Sequence, residues 1–349
     1  MRNIAVMGAG ATGSLVGGRL AAAGCNVTII DLWPAHIEHL KTNPLRMTTV
    51  EGEQQVKVGI HHIHEVAGLH RQFDIIFNAT NGYDARWAMT LMEPMLKADG
   101  WVVPLHDGMV EESIAAVVGQ GRVIGLVMDR LCVDLAEPGY VIRYLPDHPT
   151  TFIVGELDRT TTPRLQETVQ LLGHVAGTMQ TDDIWGFHWS KLPRDCTRSP
   201  MVTLAGNEVG VREASDSPLI RRLSIRVIAE VVQIGLALGH KIKAETLMGM
   251  EAELWLQAGK GINLEEVERR FMEASSKITL PPGVTSMARH MGKRRRTEIE
   301  YLNGYVVGKG RELGIATPLN AGITHAIMEM ERGQLEPGIQ NLQRISAQV

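Results

Sequence analysis

The chain has 349 residues, 44% hydrophobic and 21% charged, with a formal net charge of −4. That is enough for two domains and a sizeable core, and the weakly acidic balance argues against nucleic acid or an anionic membrane surface as a partner. Cys25, Cys132 and Cys196 are too few and too widely spaced for a disulfide framework or a metal site, so no metal and a reducing, cytoplasmic setting are expected.

Asn3–Met7 is a compact apolar run, typical of a strand buried on both faces. Gly8-Ala9-Gly10-Ala11-Thr12-Gly13 follows at once. Ser14–Ala23 reads as a helix closed by Gly24, and Asn26–Ile30 as a second strand ending at Asp31. Arg2 and the apolar stretch to Ala23 loosely imitate a secretory leader, but five glycines interrupt it, which rejects that reading. No apolar run reaches the length of a membrane span. Further strands are expected at Asp74–Ala79, Trp101–Leu105 and Arg122–Met128, separated by helices at Ala85–Leu96 and Val110–Val118. Strands alternating with helices imply a Rossmann-like, doubly wound parallel α/β sheet.

Beyond it, Arg130–Val154 reads as β ribbon with Glu137-Pro138-Gly139 as a turn, followed by a helix at Pro163–Leu172 and a short strand near Thr178. From Thr181 onward nearly everything reads as helix, most clearly Leu219–Leu238, Glu265–Ser275, Glu298–Leu313 and Leu319–Arg332. The expected organisation is therefore a dinucleotide-binding domain over 1–180 and an all-α substrate and catalytic domain over 181–349, packed directly with a cleft between them. The amphipathic helices near Leu219–Leu238 and the C-terminus suit a homodimer face or burial within one chain.

A G-x-G-x-x-G motif carries weight only in context, and here it follows a strand and opens a helix. Gly8 allows the tight turn, Gly10 lets the backbone approach a pyrophosphate, and Gly13 lets helix and strand pack closely. With Ala9, Ala11 and Thr12 these residues form the expected cofactor loop, at a helix N-terminus that attracts phosphate. Asp31, at the end of the second strand, is placed to accept hydrogen bonds from the adenosine ribose and to repel a 2′-phosphate, so NAD is expected over NADP. Its alternative role is a cap for the helix that Pro34 begins. His106 and His188 are the histidines that could titrate near neutrality, although lone histidines are more often structural. The basic run Lys293–Arg296 reads as a solvated loop or an anchor for an anionic group.

A second signature lies further on: Ser286-Met-Ala-Arg-His290, then Arg295-Arg-Thr-Glu-Ile-Glu-Tyr-Leu-Asn-Gly304, then Gly314-Ile-Ala-Thr-Pro318-Leu-Asn320. Thr297 and Glu300 form a capping box, so a helix is expected to start there with Glu298 in its first turn. Gly314 ends that helix and Thr317-Pro318 starts the next. Together with the glycine motif, this pattern resembles the ketopantoate reductase family over nearly the whole chain. The resemblance implies a two-domain enzyme that reduces a 2-keto acid with a nicotinamide cofactor, usually NADPH.

It also implies roles for particular residues. The family lysine that acts as general acid matches Lys191, in Lys191-Leu-Pro-Arg-Asp195-Cys-Thr-Arg-Ser199, where Asp195 and Ser199 replace two family asparagines. Their spacing is expected to put all three on one helix face, with Pro193 disturbing it locally. The supporting glutamate matches Glu298 and the substrate-binding serine matches Ser286, while His290 replaces a family aspartate. In the first domain, Asn81 stands for a family lysine and Asp107 for the asparagine of a His-Asn-Gly element. Asn81 is expected to touch cofactor and substrate, and Asp107, Asp195 and Ser199 to contact substrate.

These exchanges move the pocket toward negative charge, which disfavours a 2-keto acid anion and suits hydroxyl or ammonium groups. The expected function is an NAD-dependent dehydrogenase on a small carbonyl or hydroxy compound, 2-hydroxy acid-like or polyol-like, with Lys191 and Glu298 catalytic. An imine or opine-type amino-acid dehydrogenase and a non-catalytic NAD-binding sensor are the competing expectations.

Overall fold

The computed structural model describes residues 1–70, 72–206, 217–276 and 285–347. The chain divides into two compact units, Met1–Ile184 and Trp185–Val349. In the first, β1 (Asn3–Met7), β2 (Asn26–Asp31), β5 (Gly59–His62), β6 (Phe73–Asn78) and β7 (Leu96–Pro104) form a five-stranded parallel sheet in the order β5-β2-β1-β6-β7. The inner strands are near-continuous apolar runs because helices cover both faces. Helices α1 (Ala11–Ala22), α2 (Pro34–Thr42) and α3 (Gly82–Met92) lie along the connections between them, and α4 (Glu111–Val118) follows β7. This is the doubly wound arrangement that the sequence implies, and it aligns the carboxyl ends of β1, β2, β6 and β7 along one edge.

Several elements differ from expectation. Helix α3 runs from Gly82 to Met92, not from Ala85 to Leu96, because Asn81 serves as its N-cap and Glu93-Pro94 tightens into a 3₁₀ turn. A hairpin of β3 (Leu45–Thr49) and β4 (Gly52–Val56) gives no sequence signal, since β4 is Gly-Glu-Gln-Gln-Val and almost wholly exposed. The ribbon of β9 (Val133–Glu137) and β10 (Tyr140–Arg143) joins that hairpin in a separate sheet, order β4-β3-β10-β9. A third sheet pairs β8 (Ile124–Met128) antiparallel with β11 (Phe152–Glu156) and β11 parallel with β12 (Thr178–Gln180). Helix α5 (Pro163–Gly173) opens on Thr162, whose hydroxyl accepts the Leu165 N–H.

The second unit is helical. Its described helices begin with α6 (Ile184–Asp195), α7 (Arg198–Ala205) and a long helix at Pro218–Ala237. Ile225, Ile228 and Val232 of that helix meet Trp255, Val267 and Phe271 of the two that follow, Ala252–Gly259 and Leu264–Ser276. The remaining helices are Ser286–Gly292, Asn303–Leu313, Pro318–Glu331 and Ile339–Ser346. Gly314 ends the second of these four in the left-handed conformation at φ 69°, and Pro318 starts the next. Among the described residues, no helix is long and apolar enough to cross a membrane.

Candidate active site

The glycine loop is shaped by what would collide with it. Gly8 sits at φ +99°, and a Cβ there would lie 2.7 Å from the Ala79 carbonyl oxygen, so only glycine lets β1 turn beneath the β6–α3 loop. A Cβ on Gly13 would strike the Gly8 carbonyl as α1 departs. Gly10, the N-cap of α1, faces the other way, with no atom within 4 Å of a Cβ position. The first intrahelical bond runs from the Ser14 N–H to Gly10 O at 2.9 Å. The first-turn N–H groups of Ala11, Thr12 and Gly13 therefore have no acceptor within the helix. An open, donor-rich cradle of this kind fits a dinucleotide pyrophosphate.

Asp31 closes the cradle from β2. Its Oδ2 accepts the Ala9 N–H at 2.5 Å and its Oδ1 accepts the Trp33 N–H at 2.7 Å. The N-cap of α2 is Trp33, so the alternative of Asp31 as that cap is not realised. Each carboxylate oxygen keeps acceptor capacity for a ribose hydroxyl.

The other strand ends meet the same edge. Asn78 of β6 accepts the Thr80 hydroxyl at 2.7 Å and donates to Ala85 O at 3.1 Å, fixing the loop that presents half-buried Asn81. Beyond β7, His106 is buried, Asp107 is exposed and Gly108 is buried. Among the described residues, neither nitrogen of His106 meets a partner at full hydrogen-bond geometry. Burial lowers its pKa to about 4, against the opposing pull of Glu111, Asp107 and the Thr80 backbone. His106 is thus a neutral core ring, not a group that titrates near neutrality.

In the helical unit, Lys191 is buried on α6, and its Nζ donates to Asp195 Oδ2 at 2.6 Å. Lys191 and Asp195 share a helix face as expected, but Ser199 does not share that helix. Helix α6 ends at Asp195 and Ser199 lies on α7. The break has a local cause. Pro193 removes a backbone donor, and the Thr197 hydroxyl donates to the carbonyls of Pro193 and Arg194, both at 3.0 Å. Among the described residues, the Ser199 hydroxyl is buried without a hydrogen-bond partner.

A buried amide network grips this break. Asn303 Nδ2 donates to Cys196 O and to Asn320 Oδ1, both at 2.9 Å. Asn320 Nδ2 donates to Glu230 at 2.7 Å, and Glu230 also accepts the N–H groups of Leu319 and Asn320. Burial raises the Glu230 pKa, opposed by these hydrogen bonds. Asn303 and Asn320 lie within the second sequence signature, but their partners Cys196 and Glu230 are remote in sequence and carry no local signal.

The expected capping box is absent. The Thr297 N–H and hydroxyl both donate to Glu331 at 2.6 Å, while Glu300 pairs with Arg296. Glu298 is the N-cap of a 3₁₀ turn, Ile299–Tyr301, and the α-helix starts only at Asn303. A long-range acceptor outcompetes the local one for Thr297. Ser286 is exposed at the start of its helix, which packs on α7. Lys293, Arg294, Arg295 and Arg296 are exposed. Among the described residues, no group of three or more His, Cys, Asp or Glu side chains is arranged to hold a metal ion.

Comparison with known proteins agrees with both units. Residues 4–158 match the model of the ketopantoate reductase PanE/ApbA family, and residues 183–331 match the model of its C-terminal domain. A 2-dehydropantoate 2-reductase of Pyrococcus horikoshii is 26% identical over 318 residues, covering 91% of this chain and 93% of that protein. Among solved structures, a PanE/ApbA family ketopantoate reductase from Ralstonia eutropha is 21% identical with TM-score 0.76, covering 95% of this chain and 99% of that one. D-mandelate dehydrogenase, in a ternary structure with NADH and anilino(oxo)acetate, is 20% identical with TM-score 0.76 over the same shares.

Proposed function

The chain belongs to the ketopantoate reductase family, and from that premise we propose that it is an NAD(H)-linked oxidoreductase acting at a CH–OH or carbonyl carbon of a small molecule, with Lys191 moving the proton. NAD(H), when bound, supplies or accepts the hydride. The glycine loop holds the pyrophosphate on the free N–H groups of Ala11, Thr12 and Gly13. Asp31 takes the ribose hydroxyls and repels a 2′-phosphate, which favours NAD(H) over the NADPH usual in the family. The NADH carried by D-mandelate dehydrogenase, a neighbour in fold, is consistent with that preference.

The observation that carries the chemistry is the buried Lys191 ammonium held at 2.6 Å by Asp195. In reduction Lys191 donates a proton to the developing alkoxide, and in oxidation it takes one. Its charge stabilises that oxygen. Glu298 orients the lysine or the substrate hydroxyl, and Ser286, Ser199, Asn81 and Asp107 contact substrate. Asp195 sets the substrate class. Its carboxylate offsets the lysine charge, so a carboxylate next to the reacting carbon gains less here than beside an uncompensated ammonium. A hydroxylated substrate without that carboxylate is favoured.

The test is cofactor turnover across 2-keto acids, 2-hydroxy acids, polyols and amino acids, with NAD(H) and NADP(H) in parallel. NAD(H)-dependent turnover of a polyol or hydroxy compound is expected. Efficient reduction of ketopantoate with NADPH would overturn both the cofactor and the substrate assignment.

A further inference from the structure

The phosphate-binding loop has a brace that no motif announces. The Ala9 peptide is held at both ends, its N–H by Asp31 and its carbonyl by the Ser14 hydroxyl at 2.8 Å. The Ser14 Oγ lies 3.2 Å from Nε2 of His36, a ring on α2 with 0% exposure. On its far side, His36 Nδ1 lies 2.9 Å from the backbone nitrogen of Gly139, in the β9–β10 turn. Trp33 stacks on the same ring, centroids 5.8 Å apart and planes within 13°.

The direction of this chain follows from chemistry. A backbone N–H only donates, so Nδ1 must accept. The ring is then neutral, with its proton on Nε2 and donated to Ser14. The Ser14 proton is left for the Ala9 carbonyl. Every donor meets an acceptor, and no other tautomer achieves this. We propose that His36 is a positioning residue for cofactor binding: its neutral imidazole couples the β9–β10 turn through Ser14 to the Ala9 peptide and so fixes the loop that receives the pyrophosphate. The inference rests on the reading of the glycine loop as a dinucleotide site.

Acid breaks the chain at a defined bond. A proton on Nδ1 would face the Gly139 N–H, donor against donor. Burial lowers the His36 pKa. Of the charged groups acting on it, Asp31 favours the imidazolium and His39 opposes it. The loop therefore stays braced through neutral pH and loosens on the acid side.

The experiment is NADH binding, by isothermal titration, to wild type, His36→Ala, His36→Gln, Ser14→Ala and the His36→Ala/Ser14→Ala double variant, with melting temperature as a fold check. His36→Ala is expected to weaken NADH about tenfold, and Ser14→Ala comparably, since each removes two hydrogen bonds of the brace and the Ser14–His36 bond is common to both. The double variant is expected to be little weaker than either single one, because both cut the same chain. Glutamine, which both accepts and donates, is expected to restore most of the affinity. It should also remove the acid-side loss expected of wild type below about pH 6.5. The proposal is overturned if His36→Ala binds NADH like wild type, if the two losses add fully, or if His36→Gln keeps the acid-side loss. Wild type that binds neither NADH nor NADPH removes the dinucleotide reading itself, and the inference with it.

Discussion

The glycine loop of the first unit and the lysine helix of the second make their sites by opposite means. The loop offers backbone N–H groups, and its residues matter chiefly for the side chains they lack: a Cβ at Gly8 or Gly13 would collide with neighbouring backbone. The lysine helix offers side chains. Lys191 owes its setting to Asp195 one turn on, to the break after Pro193, and to Asn303 holding the Cys196 carbonyl. A site made of backbone tolerates change at most positions except the glycines. A site made of side chains is retuned by single exchanges.

The contrast breaks or sharpens under four measurements. The largest expected effect is on Lys191→Met. If the side chain supplies the proton, kcat should fall by roughly 10²- to 10⁴-fold with the NADH dissociation constant unchanged. Loss of cofactor binding instead would mean that the two sites are not separable.

Next comes acid stability. His106 is neutral when folded, with a pKa near 4, while the unfolded ring titrates near 6.5. The unfolded state therefore binds the extra proton, and stability falls as pH drops from 6.5 to about 4, by about 3 kcal/mol in all. Chemical denaturation at stepped pH reads this, and His106→Asn should flatten the slope. An unchanged slope would place the acid limb elsewhere.

Gly8→Ala should cost about 2 kcal/mol through strain at positive φ and the clash with Ala79, read as a lower denaturation midpoint. It should weaken NADH binding as well, because the same turn forms the cradle. The smallest shift is on Asp31→Asn. Removing the charge while keeping an acceptor for the Ala9 N–H should narrow the NADH preference over NADPH by about tenfold in kcat/KM, near 1.4 kcal/mol. A preference that does not move would remove Asp31 as the discriminator.

How much of this was legible in the sequence depended on how local the cause was. The strand, glycine loop and helix at the N-terminus are written in contiguous residues, and each choice there agrees with the next. Asp31 was singled out because it ends the second strand, and Lys191 because a family pattern marks it. The β3–β4 hairpin escaped because Gly-Glu-Gln-Gln-Val shows no apolar alternation. The Thr297–Glu300 box was misread because Glu331, remote in sequence, is the stronger partner.

By itself, then, the sequence determined the parallel α/β half, the glycine loop with its acidic neighbour, and the helical half, all through backbone conformation and apolar period. Only the tertiary structure decided that α6 stops at Asp195, that Asn303 and Glu230 secure the break, and that His36 and Ser14 brace Ala9. The reason is physical. A turn or helix start is set by residues within a few positions, whereas a buried hydrogen bond between distant segments exists only once folding has brought donor and acceptor together and removed the water that would otherwise satisfy both.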